Sequence, residues 1–303
     1  MKGFREDDRP YPVYRNDIKF KKYQNIDPKR AIWMGDNVEK DFKTLDTDSV
    51  NYRIKMCRQE KYDNIDLSRL NQKDIDIFFI SNFYKRHAID ILHVFMSNSN
   101  IHHIPNLTDM KSLETLDISH NELQELPEIP PSVTELMANN NKLKALEINM
   151  DNVLRVDVSH NKLTKLPNLK SAKTIYVSNN KISTMYCKYD FVKDMKCCDN
   201  PISQLPEMVN IRSLNCSRTK ICQIFDYMNL SQIISNDSNL SKLDRIPQLE
   251  SLEIIRTKIN ELKYFPNLKT LIFNKESDIE ISDQYTIRSA LKNKKNIFEV
   301  SFK

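Results

Sequence analysis

Leu113-Glu-Thr-Leu116-Asp-Ile118-Ser-His-Asn121-Glu-Leu123-Gln-Glu-Leu126-Pro127 is the stretch that decides the fold. Leu116 and Ile118 alternate with polar residues, the period of a short strand with one buried face, and the apolar pattern resumes past Asn121 at Leu123 and Leu126. The frame returns at Val133, Leu136, Ala138, Asn141 and Leu143; at Val153, Val156, Val158, Asn161 and Leu163; at Ala172, Ile175, Val177, Asn180 and Ile182; and at Val192, Met195, Cys197, Asn200 and Ile202. Consecutive copies spaced by roughly 19 to 22 residues mark a repeat protein in which each copy is one coil. Farther along the frame persists while Asn gives way to Thr219, Ser238 and Thr257. Upstream it reaches Ile91, Val94 and Met96 with Ser99 in the Asn place, and downstream Leu268, Leu271 and Phe273 open an irregular copy, so about ten coils are expected.

Each position has a physical reason. The two alternating apolar residues point into the core, and the residues between and beside them face outward from a parallel sheet that adds one strand, about 4.8 Å, per coil. Where the chain leaves the strand, a buried side-chain amide can satisfy backbone groups of neighbouring coils, so Asn121, Asn141, Asn161, Asn180 and Asn200 are expected to form a ladder. Thr219, Ser238 and Thr257 can do only part of this, which predicts a less regular, less stable C-terminal half.

On these residues the chain resembles the leucine-rich-repeat family over residues 91–273. The resemblance implies an α/β repeat fold: a leucine-rich-repeat solenoid with a curved parallel β-sheet, a mostly non-helical convex side and helix-containing caps at both ends. Leu126-Pro-Glu-Ile-Pro-Pro-Ser-Val-Thr-Glu-Leu136, with Leu-Pro again at Leu166-Pro167 and Leu205-Pro206, is similar to the short bacterial-type repeats of secreted effectors. Such coils leave no room for a convex helix and use extended or polyproline-like segments. Some of those effectors carry a ubiquitin-ligase domain after the repeats; here about 25 residues follow the last coil, so no such domain is expected.

A solenoid needs polar-backed caps. Four parts are expected: residues 1–60 as an extension of unknown fold containing the sole tryptophan, Trp33; residues 61–90 as an N-terminal cap; residues 91–281 as repeats; and residues 282–303 as a C-terminal cap. In the first cap Ile65 and Leu67 suit an edge strand, and Ile75, Phe78, Phe79 and Phe83 suit one helix from about Gln72 to Arg86. In the last, Ser282-Asp283 precedes a helix with Ile287 and Leu291 on one face, and Ile297, Val300 and Phe302 restore the strand frame.

Composition excludes several function classes. Gly3 and Gly35 are the only glycines, so the later chain cannot build phosphate-cradling loops, dinucleotide fingerprints or nucleophile elbows. The charged N-terminus MKGFREDDRP has no apolar signal core and no stretch is long enough for a membrane span, so a soluble, cytoplasmic protein without membrane contact is expected. Six cysteines without paired spacing read as reduced thiols. Abundant Asn, Ile and Lys are the bias that AT-rich genomes, such as those of giant DNA viruses, produce, which would place the protein in a host cytoplasm. The formal charge is +5, with about +3 in residues 1–60 and about +3 in residues 283–303, which leaves the repeat near −1 and gives no basic groove for nucleic acid.

Titratable clusters are the remaining route to catalysis. Asp117, Glu135, Arg155 and Asp157 come from neighbouring strands, but an open sheet leaves carboxylates solvated with ordinary pKa values. His120 and His160 hold equivalent turns in alternate coils, too far apart to share a metal. Cys198 reads as exposed on the outward face without a positioned base. No catalytic, metal or cofactor role is therefore assigned, and the chain is not expected to be an enzyme. Lys142, Lys162 and Lys181 form a ladder one residue after the Asn, readable as a solvated edge or as a site for an acidic partner.

The outward row runs Phe95, Asp117, Met137, Asp157, Tyr176, Lys196, Asn215, Ile234, Glu253 and Ile272. Met137 and Tyr176 among Glu135, Arg155 and Asp157 look like apolar anchors within a charged rim, so a protein partner on the concave face is expected, with Asp117 and Lys196 at the margins. The alternative is a substrate-recognition subunit of an enzyme assembly, a ubiquitin ligase or phosphatase complex, docked through residues 1–60. Ile234, Ile255 and Ile272 can instead pack under the C-terminal cap.

Overall fold

A computed structural model describes residues 49–262, 265–274, 280–281 and 297–300. Trp33, most of the N-terminal extension and the helix expected after Ser282 lie outside these residues.

Twelve parallel strands stack in one sheet: β1 (Asn64–Asp66), β2 (His93–Phe95), β3 (Thr115–Asp117), β4 (Glu135–Met137), β5 (Arg155–Asp157), β6 (Thr174–Tyr176), β7 (Asp194–Lys196), β8 (Ser213–Asn215), β10 (Gln232–Ile234), β12 (Ser251–Ile254), β14 (Thr270–Asn274) and β16 (Ile297–Val300). The register is the one the repeat dictates: Val94, Leu116, Leu136, Val156, Ile175, Met195 and Leu214 align across successive coils, all buried. The return segments are mostly irregular, as short coils require. The sequence did not announce four short strands on that side, β9 (Gln223–Phe225) paired with β11 (Lys242–Asp244) and β13 (Glu261–Leu262) paired with β15 (Glu280–Ile281).

The N-terminal cap begins earlier than expected and has a different helix count. Helix α1 (Val50–Gln59) starts at Ser49, whose side chain accepts from Tyr52 N, and buries Val50 and Cys57. The helix expected from Gln72 to Arg86 is two helices, α2 (Gln72–Ile80) and α3 (Asn82–His87). Ser81 divides them: its backbone is extended at φ −65°, ψ 152°, and its hydroxyl oxygen accepts from Tyr84 N at 3.1 Å, so one residue ends α2 and caps α3. The break lets Phe78, Phe79 and Tyr84 pack edge to face, with the Phe83 ring tilted against Phe78. Gln72 ties the cap to the first coil by accepting from His102 N at 2.9 Å and donating to His103 O at 3.0 Å.

The Asn side chains bridge coils in a fixed pattern. Asn161 Nδ2 donates to Ala138 O of the preceding coil at 2.9 Å and to Val158 O of its own at 3.0 Å, while its Oδ1 accepts from Leu143 N at 2.9 Å. Asn141, Asn180 and Asn200 repeat all three contacts. Asn121 does the same and bonds both Ser99 N and Ile101 N. The replacements keep only local contacts: Thr219 donates to Cys216 O, Ser238 to Ser235 O and Thr257 to Ile254 O, none reaching the coil before.

Glycine is also absent where a tight exit from the strand asks for it. The residue before each Asn-type position has positive φ: His120, Asn140 and His160 at 55°, Asn179 at 56°, Asp199 and Arg218 at 53°, Asp237 at 51° and Arg256 at 54°. That conformation costs an ordinary residue about 1–2 kcal/mol. The column is cross-linked in pairs: His120 with Asn140 and His160 with Asn179, both at 3.4 Å, then Asp199 with Arg218 and Asp237 with Arg256 as ion pairs.

The ladder makes a stability prediction. Asn161→Ala strands the buried Leu143 N–H and removes one of the two amide donors from each of Ala138 O and Val158 O, and should cost about 1–3 kcal/mol, whereas Thr219→Ala should cost nearer 1 kcal/mol. Urea unfolding followed by circular dichroism distinguishes the two, and equal losses would show that the amide does not bridge coils.

Candidate interaction surface

Each three-residue strand buries its middle residue and turns the first and third outward. The third positions align as Asp117, Met137, Asp157, Tyr176 and Lys196, and the first as Thr115, Glu135, Arg155, Thr174 and Asp194. All seven residues nominated from the sequence therefore lie on one face over β3–β7. Met137, Tyr176, Glu135, Arg155, Asp117 and Lys196 are half-buried.

Their contacts run along the sheet. Lys196 Nζ lies 4.8 Å from the centre of the Tyr176 ring, and Arg155 Nε is 3.8 Å from Glu135 Oε1. The ring and the cation hold each other in a defined pose without a core above them.

Two of the acidic residues do something the sequence reading missed. Asp117 Oδ1 accepts from Ser119 N at 3.0 Å and from Ser119 Oγ at 2.6 Å, and Asp157 Oδ1 accepts from Ser159 N at 3.0 Å. Asp66 with Ser68 and Asn215 with Ser217 repeat the turn, at 2.9 and 3.2 Å. The signal was present as Asp/Asn-x-Ser at the strand ends, an acceptor that bonds the backbone two residues on and steers the chain out of the sheet.

Asp157 is also not the solvated carboxylate expected of an open sheet. It retains 9% exposure, and burial pushes its carboxyl above the usual carboxylate range against the opposing pull of the Ser159 N–H, His160 and Lys196. Cys198 is likewise buried, not exposed, with Sγ 2.9 Å from Asn215 Oδ1. Cys197 and Cys216 point into the core, where burial raises the first thiol well above its ordinary value and the second to about 12. Ile255 is buried, while Ile234 and Ile272 stay half-exposed. Among the described residues no cluster of three or more His, Cys, Asp or Glu converges on a metal-sized site, and no helix is long and apolar enough to cross a membrane.

Stacked coils, a long parallel sheet with one strand per coil and the amide ladder together are the leucine-rich-repeat fold, and the chain is a leucine-rich-repeat solenoid. Among solved structures, YopM from Yersinia enterocolitica WA-314 matches with a TM-score of 0.57 and 24% identity, over 60% of this chain and 42% of that one. YopM of Yersinia pestis, described as a leucine-rich effector protein, matches with a TM-score of 0.50 and 23% identity over 60% of each chain. The leucine-rich repeat domain of APL1B matches with a TM-score of 0.51 and 12% identity over 74% of this chain and 78% of that one. The chain thus spans less than two thirds of either effector's length, and the likeness is one of fold. No family model and no curated protein matches the sequence.

The raised Asp157 pKa has a stability consequence. A carboxyl that prefers its neutral form when folded weakens the fold once ionised, so stability should rise as pH falls through the folded-state pKa. Asp157→Asn should therefore raise the thermal midpoint at pH 7, with the gain shrinking towards about pH 4, near the unfolded carboxyl value. A gain independent of pH would rule out the carboxylate as its source.

Proposed function

We propose that this chain is a protein-interaction scaffold that holds a partner polypeptide on the concave, outward face of its sheet over β3–β7. Met137 and Tyr176 act as the apolar anchors, and Asp117, Glu135, Arg155, Asp157 and Lys196 form the polar surround. The observation that carries this reading is that Met137 and Tyr176 are half-exposed on the same row, one strand to either side of Asp157, with the ring held by Lys196. Large side chains in such a place have no core to fill, and an apolar centre with a charged margin is the usual anatomy of a protein contact. The fold supports the general role, since stacked repeats present a long continuous surface, while the choice of partner lies in the side chains on it.

The test compares wild-type protein with a Met137→Ala, Tyr176→Ala double variant in affinity capture from the native cell with quantitative mass spectrometry. The double variant should lose at least about tenfold of a specific partner, as expected for two anchors, while keeping its circular dichroism and thermal midpoint. A control pair on the return side, Tyr186→Ala and Phe191→Ala, both exposed, should retain the partner. Loss with the control and retention with the double variant would move the contact off this face.

A further inference from the structure

Side chains at equivalent positions of neighbouring coils lie about 4.8 Å apart at the backbone, so any charge placed there faces its counterpart one coil on. The chain generally answers such a charge with its opposite. Asp151 pairs with Lys170 at 2.7 Å, Lys188 with Glu207 at 2.5 Å, Asp226 with Arg245 at 2.8 Å and Glu250 with Lys269 at 2.9 Å, while Asp199 with Arg218 and Asp237 with Arg256 do the same at the strand exits.

Two columns depart from that rule: Lys173, Lys193 and Arg212, directly before β6, β7 and β8, and a second column at the opposite ends of the strands. In the second, the residue after each ladder Asn runs Glu122, Lys142, Lys162, Lys181 and Pro201, so that three lysines stand in consecutive coils, the first of them paired with Glu122. Lys144 and Lys165, two and three residues farther along their coils, are exposed as well. Among the described residues neither they nor Lys162 and Lys181 have an ion-pair partner. Like charges held at equivalent places in adjacent coils repel one another.

The backbone holds this column in place. Lys142 N donates to Leu123 O, Lys162 N to Leu143 O and Lys181 N to Leu163 O, each at 2.8 Å, directly after the Asn that locks the coils together. The repulsion is therefore built into the most regular part of the solenoid, where the frame cannot shift to relieve it.

We propose that this flank, centred on Lys142, Lys162 and Lys181, is a docking strip for an extended acidic polypeptide segment, distinct from the face that carries Met137 and Tyr176. Its chemistry favours carboxylates over nucleic acid. The exposed residues between the lysines, Thr164 and Ser183, offer no ring on which a base stacks, and the column has no arginine to fork onto a phosphate. An extended peptide advances about 3.3 Å per residue, so consecutive carboxylates can reach ammonium groups one and two coils apart.

The probe is a fluorescein-labelled ten-residue Asp/Glu peptide, titrated with the full chain by fluorescence anisotropy. An oligothymidylate of matching charge serves as the second probe. Lys162→Glu should weaken peptide binding about tenfold and Lys162→Gln with Lys181→Gln at least about threefold, whereas Lys173→Glu with Lys193→Glu, in the other like-charged column, should change it less than about twofold. Because Lys162→Glu restores alternating sign along the column, its thermal midpoint should equal or exceed that of the wild type while its binding falls. The assignment is overturned by absent wild-type binding, by equal losses in the Lys173, Lys193 variant, by a lower midpoint for Lys162→Glu, or by tighter, strip-dependent binding of the oligothymidylate.

Discussion

A single coil of this chain cannot bury both its apolar face and its backbone, and the interaction that resolves this is the side-chain amide at the strand exit. Each ladder Asn gives its N–H bonds to three carbonyls, two in its own coil and one in the coil before, and takes a backbone N–H with its oxygen. An unpaired buried polar group costs about 1–3 kcal/mol, so a core of Leu, Ile and Val on one side of the strand is tolerable only because the amides satisfy the turn. The amide also sets register, because its partners lie a full repeat apart.

The absence of glycine has a structural answer. At the strand exits from His120 to Arg256, positive φ is taken by His, Asn, Asp and Arg, each paired with its neighbour across a coil boundary. In the early coils these pairs supplement the buried amides. In the late coils, where Thr219, Ser238 and Thr257 no longer reach the previous coil, the Asp–Arg pairs and Asn236, which accepts from Ile255 N at 2.8 Å, supply cross-coil side-chain bonds. The bonding has moved from the core to the rim, where solvent and salt weaken ion pairs.

Two surfaces then differ in kind. The outward face over β3–β7 combines half-buried apolar side chains with charges already engaged by their neighbours, through the Arg155–Glu135 and Lys196–Tyr176 contacts. On the lysine flank, among the described residues, Glu122 alone forms an ion pair with the column, through Lys142. The first suits a contact made by desolvation and shape, the second one made by long-range attraction and sensitive to ionic strength.

The sequence by itself determined the period, the strand frame, the inward rows and the position of the amide ladder, because a two-residue alternation followed by a polar residue in the same phase in each of several consecutive copies has one stacking solution. It also carried the Asp/Asn-x-Ser turn at Asp117 and Asp157, which is legible once its partner two residues on is considered. Tertiary structure alone decided which outward residues are in fact exposed. Asp157 and Cys198 occupy outward-phase positions, yet Asp157 lies between Met137 and Tyr176 in the register, Cys198 sits against Asn215, and both are buried. The division of the cap helix at Ser81 and the pairing of β9 with β11 are of the same kind. Phase along the chain reports which way a side chain points, whereas its exposure depends on the size and reach of side chains some twenty residues away, which only the stacking of coils brings together.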